Sequence, residues 1–197
     1  MLAASTALIA VTALAGCASS SNKDLSAQYG KGTTQNYISG TGAVSEIALD
    51  ERKAPVTFSA TATDGSPISS AALRGKVVVL NFWYAGCPPC RAEAKYLKQS
   101  YATFHGQGVE FVGIDVRDEA GTAAAFDRTF QIPYPTVLDA QTGTMQLALS
   151  GAIAPNAVPT TIVLDKQGRV AARVLGAIDG QSILDTLVSD ALAGRAS

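Results

Sequence analysis

Two cysteines stand three positions apart in NFWYAGCPPC, residues 81–90, just after a run of apolar residues. Cys87 and Cys90 are two of the three cysteines in the chain; the third is Cys17, and His105 is the one histidine. Thiols at this spacing could ligate a metal, close an inert staple, or exchange electrons with another disulfide. A staple is a weak use of the pair, because a bridge over so short a loop removes little unfolded-state entropy. Zinc would need about four ligands, usually two cysteine pairs or a pair with histidines. Whether a third thiol is at hand depends on Cys17.

Cys17 follows an uncharged apolar run, LAASTALIAVTALA at residues 2–15, and sits in Leu14-Ala15-Gly16-Cys17. The run is shorter than the roughly 20 apolar residues of a membrane span and suits the apolar core of a secretory signal. No lysine or arginine precedes it, although such signals normally begin with a positive segment. The cysteine and its neighbours resemble a bacterial lipobox, which implies that Cys17 is acylated and becomes the first mature residue. That leaves Cys87 and Cys90 as the thiols of the mature chain. It also places them outside the cytoplasm, where disulfides persist. His105 lies fifteen residues beyond Cys90, about four helical turns away. No tetrahedral site follows from one chain, so no metal is expected, and His105 reads as a helix C-terminal residue favoured by the dipole.

The elements that must position the pair are visible in the pattern. VVVLNFW, residues 77–83, is a continuous run of branched and aromatic residues and reads as a strand buried on both faces. PPCRAEAKYLKQSYATF, residues 88–104, brings Cys90, Ala94, Leu97, Tyr101 and Phe104 to one helical face, with Arg91, Glu93, Lys95 and Lys98 between them. Its prolines sit in the first turn, where they are tolerated, and Gly106 and Gly108 end it. VEFVGID at 109–115 reads as a second central strand, 120–132 as a helix, 136–139 as a short strand and 145–150 as a short helix. TIVLD at 161–165 and VAARVL at 170–175 form a hairpin turning at Gln167-Gly168, and 182–192 is a last amphipathic helix. A strand at 56–60 and a turn at 63–68 precede them. The chain divides into a lipoprotein signal peptide (1–17), a flexible Ser/Gly/Thr-rich tether (18–53) and one folded domain (54–197), with a possible short strand in TGAVSEIAL. The fold class is α/β, a mixed central sheet flanked by helices. With 197 residues, 47% hydrophobic, mean hydropathy +0.19, a formal charge of −1 and no basic run, the chain can bury a core and carries no nucleic-acid footprint.

This frame gives the redox reading a mechanism. The strand delivers Cys87 to a helix N-terminus, where unpaired N–H groups and the dipole favour an anion and lower the thiol pKa. Cys90, one turn later and more buried, stays protonated until needed. Cys87 attacks a partner disulfide, and Cys90 resolves the mixed disulfide. Pro88 and Pro89 stiffen the loop and remove two N–H groups.

GKVVVLNFWYAGCPPCRAE, with Val-Pro-Thr-Thr some seventy residues on, resembles the TlpA/ResA branch of thioredoxin-fold oxidoreductases over roughly residues 54–195. The resemblance implies a thioredoxin fold with an N-terminal extension and a central insertion, and a redox-active Cys87–Cys90 disulfide as the only cofactor. It further implies extracytoplasmic protein thiols and disulfides as partners, apocytochrome c among them, and a membrane dithiol donor of CcdA/DsbD type. By the same resemblance Cys87 attacks, Cys90 resolves, and Pro159 is a cis-proline against the pair. The Val158 backbone would then pair with an extended substrate. Glu93 would aid proton transfer, or stand as a solvated carboxylate beside Lys95; Trp83 would border the substrate site, or serve as core. Two positions depart from the pattern. Gly86 stands where many relatives carry tryptophan, which implies a smaller, more flexible rim open to different partners. Asn81 stands where thioredoxins carry a buried acid, so proton shuttling falls to Glu93 or water. The functional expectation is a membrane-anchored disulfide reductase. A dithiol oxidase is the alternative, since direction depends on reduction potential. A peroxiredoxin-like peroxidase lacks its Thr-x-x-Cys context here, and a copper-delivery protein would want a wider cysteine spacing and a late histidine.

Overall fold

The structure is a computed structural model, and it describes residues 42–151 and 157–195. Six strands form the main sheet in the order β1 (Ala43–Glu46), β8 (Val170–Leu175), β7 (Thr160–Leu164), β4 (Val77–Trp83), β5 (Val109–Asp115), β6 (Thr136–Leu138). β4 runs parallel to β5 and antiparallel to β7. Flanked on both sides and covered on both faces, it is buried along its whole length, as its unbroken apolar run requires. Val77 and Val79 join one buried cluster with Leu184 and Leu187, and Val78, Leu80 and Phe82 join another with Met145 and Leu149. Each fully buried side chain of this size stabilises the fold by roughly 1.5–3 kcal/mol. β2 (Ser59–Thr61) and β3 (Pro67–Ser69) form a separate hairpin.

Among the described residues four helices join the sheet: α1 (Pro88–Phe104), α2 (Ala120–Phe130), α3 (Thr144–Ala148) and α4 (Gln181–Ala193). α1 leaves β4 after four loop residues, Tyr84 to Cys87, and packs against α4, with Ser100 Oγ donating to Asp185 Oδ1 at 2.6 Å. α2, β6 and α3 lie between β5 and β7 and add the parallel edge strand β6 to the sheet. Among the described residues, no helix is long and apolar enough to cross a membrane.

Residues 43–53 depart from the flexible tether expected over 18–53. β1 pairs with β8 from Ala43↔Leu175 to Glu46↔Ala172, so residues 43–46 belong to the sheet. Arg52 fixes the stretch further: its guanidinium meets Asp165 at 3.2 Å with both side chains almost fully buried, and donates to the carbonyls of Ile47 and Arg195. A polar, Ser/Gly-rich sequence can form an edge strand because one hydrogen-bonded neighbour suffices there, and β1 is largely exposed. Cys17 and the rest of the expected tether lie outside the described residues.

Candidate active site

The reaction loop is built from the end of β4 upward. Cys87 is the N-cap of α1, extended at φ −83° and ψ 111°, and its sulfur accepts the backbone N–H of Cys90 at 3.2 Å. Pro88 and Pro89 occupy the first turn and have no N–H to offer. The first intrahelical bond runs from Arg91 N–H to Cys87 O. Cys87 and Cys90 form a disulfide with a Cα–Cα distance of 5.3 Å. The helix terminus that favours an anion is therefore aimed at Cys87.

The expected contrast in burial, with Cys90 the more hidden of the two, does not hold. Cys87 is 0% and Cys90 2% exposed. Nor is the rim bare. A Cβ placed on Gly86 would lie 3.4 Å from the Tyr84 ring, and the Arg117 guanidinium stacks over that ring at 4.9 Å. Tyr84 thus supplies an aromatic group beside Gly86, from three positions before Cys87 instead of one.

The loop is also held through the Ala85 peptide. Its N–H donates to the Asp118 carboxylate and its carbonyl accepts from Arg91 Nη1 at 3.3 Å. Asp118 is placed by Asp115, whose Oδ1 accepts the N–H groups of Arg117 and Asp118. Burial first, and then the neighbouring Asp118 charge, push the Asp115 carboxyl up to about 7 against the backbone donors that lower it. Sequence reading singled out neither aspartate. The signal was the DVRD run at the end of β5, where a strand hands over to a turn rich in acidic residues.

Glu93 is not a solvated carboxylate beside Lys95. It is 0% exposed and faces the sheet. Its Oε1 accepts from Asn81 Nδ2 at 2.8 Å and its Oε2 from the Ile178 N–H at 2.9 Å, while Asn81 Nδ2 also reaches Thr161 Oγ1 at 3.1 Å. Burial raises its carboxyl to about 8, opposed by those two hydrogen bonds, so it keeps its proton at neutral pH. Asn81 thus neighbours an acid, though it does not supply one. Trp83, expected to border substrate, is buried and stacks on Phe126 of α2 with ring centroids 4.0 Å apart. It lies behind the disulfide in the core and offers no surface to a partner. Asp127, also missed, lines a small cavity behind Cys90 together with Asn81, Trp83 and Tyr134. Its position four after Ala123, beside Phe126, puts it on the inward stripe of α2.

The Val158–Pro159 bond is cis and opens β7. Val158 belongs to the same buried cluster as Cys87 and Cys90. Pro159 O accepts from Gly176 N–H, and Thr160 Oγ1 donates to Ala157 O. His105 is the C-cap of α1, stacked on Tyr101 with centroids 4.7 Å apart, at the opposite end of the helix from the cysteines. Among the described residues, no group of three or more His, Cys, Asp or Glu side chains could hold a metal ion.

Comparison with known proteins agrees with this geometry. The AhpC/TSA family matches residues 51–173. The thiol-disulfide oxidoreductase ResA of Bacillus subtilis (strain 168) is 32% identical over 123 residues, covering 62% of this chain and 66% of that protein. The chain thus spans about two thirds of the length of such curated relatives. Among solved structures, a thiol:disulfide interchange protein of the thioredoxin family from Chlorobium tepidum TLS is similar at TM-score 0.64 and 32% identity, over 72% of this chain and 97% of that one. A secreted thiol-disulfide isomerase from Corynebacterium glutamicum is similar at TM-score 0.66 and 29% identity, over 74% and 92%. With a thioredoxin-type sheet, a disulfide at the β4–α1 junction and a cis-proline before β7, the chain belongs to the AhpC/TSA family and, within it, to the ResA-like thiol–disulfide oxidoreductases.

Proposed function

We propose that the protein is an extracytoplasmic, lipid-anchored disulfide reductase working through Cys87 and Cys90. The observation that carries the reading is the Cys87 sulfur at the N-cap of α1, accepting the Cys90 N–H and bonded to Cys90. In the reduced form the Cys87 thiolate attacks one sulfur of a substrate disulfide and displaces the other. Cys90 then attacks Cys87 Sγ, the substrate sulfur leaves as a thiolate, and the two electrons of the dithiol have passed to the substrate.

The reductive direction is favoured by what surrounds the sulfurs. A site becomes a strong oxidant when its reduced form is stabilised. Here Pro88 and Pro89 withhold two donors from the Cys87 thiolate. The Asp127 carboxyl lies behind Cys90, where a negative charge disfavours a thiolate. Both features destabilise the reduced form and so make the pair a better donor.

Lipidation at Cys17, extracytoplasmic thiol and disulfide partners including apocytochrome c, and a membrane dithiol donor of CcdA/DsbD type complete the proposal. The secreted relative supports the address. The test is Cys90→Ser expressed in a bacterial host: mixed disulfides with extracytoplasmic proteins should accumulate through Cys87. No trapped partner, with a pair inert to dithiol reagents, would overturn the exchange reading. A reduction potential near thioredoxin's roughly −270 mV supports a reductase, whereas one near DsbA's roughly −120 mV would make it an oxidase. Cys17→Ser should release the protein from membranes, and unchanged fractionation would refute the anchor.

A further inference from the structure

Resolution by Cys90 requires its thiol to lose a proton inside the protein. Glu93, the acid on the same helix, has both carboxylate oxygens engaged, one by Asn81 and one by the Ile178 N–H. It does not line the cavity behind Cys90. That cavity has a volume of about 10 Å³; Asn81 and Trp83 of β4, Cys90 of α1, Asp127 of α2 and Tyr134 line it, with Ala94, Leu97, Phe126 and Ile132 closing its apolar side. A space of that size takes a single water, provided polar groups face it. One such group is unusual. Asp127 Oδ1 is buried and makes no well-formed hydrogen bond, and Thr136 Oγ1 makes none either, although that hydroxyl is near enough to favour the charged carboxylate. Thr136 Oγ1 and the Trp83 indole nitrogen both approach Gly113, whose lack of a side chain leaves them room. An unpaired carboxylate oxygen is unfavourable in such a place unless it holds a water or a proton.

We propose that Asp127 is the proton acceptor for Cys90, acting through one water held in this cavity. The inference rests on the exchange reaction proposed above. In the mixed disulfide, Cys87 Sγ is bonded to the substrate sulfur and Cys90 is a thiol. The Cys90 proton passes through the water to Asp127 Oδ1. The Cys90 sulfur then bonds to Cys87 Sγ, the bond from Cys87 to the substrate breaks, and the substrate sulfur departs with its electron pair. Asp127 later yields the proton to the water and so to the leaving thiolate or solvent. Run backward, protonated Asp127 returns the proton to Cys90 as the active-site disulfide opens.

The acid that thioredoxins carry on the central strand, and that Asn81 replaces, is thus supplied from across the cavity by α2. The titratable groups around it are Asp127, Cys90 and Tyr134, with Glu93 beyond Asn81; β4 and β6 otherwise present Asn81, Trp83 and Thr136, which do not titrate. Burial raises the Asp127 carboxyl, opposed by the Thr136 hydroxyl, and burial together with the Glu93 and Asp127 charges raises the Tyr134 phenol. A carboxyl shifted upward is a better match for a thiol proton than an exposed one.

The test uses the reduced protein and an aromatic disulfide, 5,5′-dithiobis(2-nitrobenzoate), in a stopped-flow spectrometer. The first coloured thiolate reports attack by Cys87 and the second reports resolution by Cys90. In Asp127→Asn the second release should slow about tenfold or more relative to the first, and its pH dependence should flatten. Asp127→Glu should recover part of the rate. Alkylation of Cys90 in a Cys87→Ser background reads its pKa separately. Removing a carboxylate should lower that pKa, so Asp127→Asn gives a more acidic thiol that nevertheless resolves more slowly. A second release at the original rate, or faster in step with the lowered pKa, would overturn the inference and leave Asp127 a purely electrostatic neighbour. The same slowing and flattening in Glu93→Gln alone would move the role to Glu93. Absence of both releases in the unaltered protein would instead overturn the exchange reading itself.

Discussion

Glu93→Gln tests the buried acid through stability, without any appeal to catalysis. Folding lifts the Glu93 carboxyl from 4.5 to about 8. The unfolded chain therefore releases this proton near pH 4.5, while the folded chain keeps it to about pH 8. Between those values the folded state binds more protons, so stability falls as pH rises and is level on either side. Each unit corresponds to about 1.36 kcal/mol, and a span of roughly 3.5 units sets a ceiling of about 5 kcal/mol. Glutamine cannot titrate, so the variant loses this fall. At pH 5 it should be the less stable protein by about 1–3 kcal/mol, because its amide nitrogen must face one of two donors, Asn81 Nδ2 or the Ile178 N–H, that now meet carboxyl oxygens. As pH rises toward 8.5 the two curves should converge or cross. Urea unfolding of the oxidised proteins at constant ionic strength, in half-unit steps from pH 5 to 8.5, measures the difference. Asp115 and Asp127 also titrate upward, but their contributions cancel between variant and parent. Parallel curves across the whole range would refute the reasoning.

Arg52→Ala should cost about 3 kcal/mol, the lower end for a broken buried pair, because Asp165 retains Arg169 at 2.8 Å. A denaturant midpoint shift equivalent to less than about 1 kcal/mol would contradict the role of residues 43–53 in the fold. Tyr84→Ala should speed reduction of the disulfide by small phosphines on the order of tenfold, since access to the sulfur limits such reactions; an unaltered rate would show that the ring does not cover Cys87. Gly168→Ala should destabilise by about 1–2 kcal/mol, because φ is +75° there and a methyl group would meet the Arg74 guanidinium that donates to Gln167 O, which thermal unfolding can measure.

The centre of the fold was legible because its signals were redundant. β4 is a run of buried branched and aromatic side chains, and α1 repeats apolar residues every three or four positions between proline and glycine punctuation. β5 and the β7–β8 hairpin follow the same logic. Legibility failed where polar residues sit on buried faces. The inward face of α1 is Cys90, Glu93, Ala94, Leu97, Ser100 and Phe104, so two polar members spoil the hydrophobic reading although their spacing fits the stripe. Asp127 was hidden in the same way on α2. Whether a carboxyl at such a spacing points inward depends on partners from β4, α4's approach loop and β6, which are distant in sequence. The Tyr84 ring beside Gly86 was unreadable for a related reason. A one-for-one comparison at the position before Cys87 looks for an aromatic group there, while the loop delivers one from Tyr84.

The attachment of β1 to β8 has a mechanical side. A pull on the chain just before Gly42 would be borne by the backbone pairs from Ala43↔Leu175 to Glu46↔Ala172, and next by the Arg52 guanidinium, fastened to Asp165 and to the carbonyl of Arg195. Two further strands, β8 and β7, separate that edge from β4, which carries the reaction loop. Tension arriving from the N-terminal side is thus absorbed at the far rim of the sheet. Cys87 and Cys90 can keep their geometry under such a load.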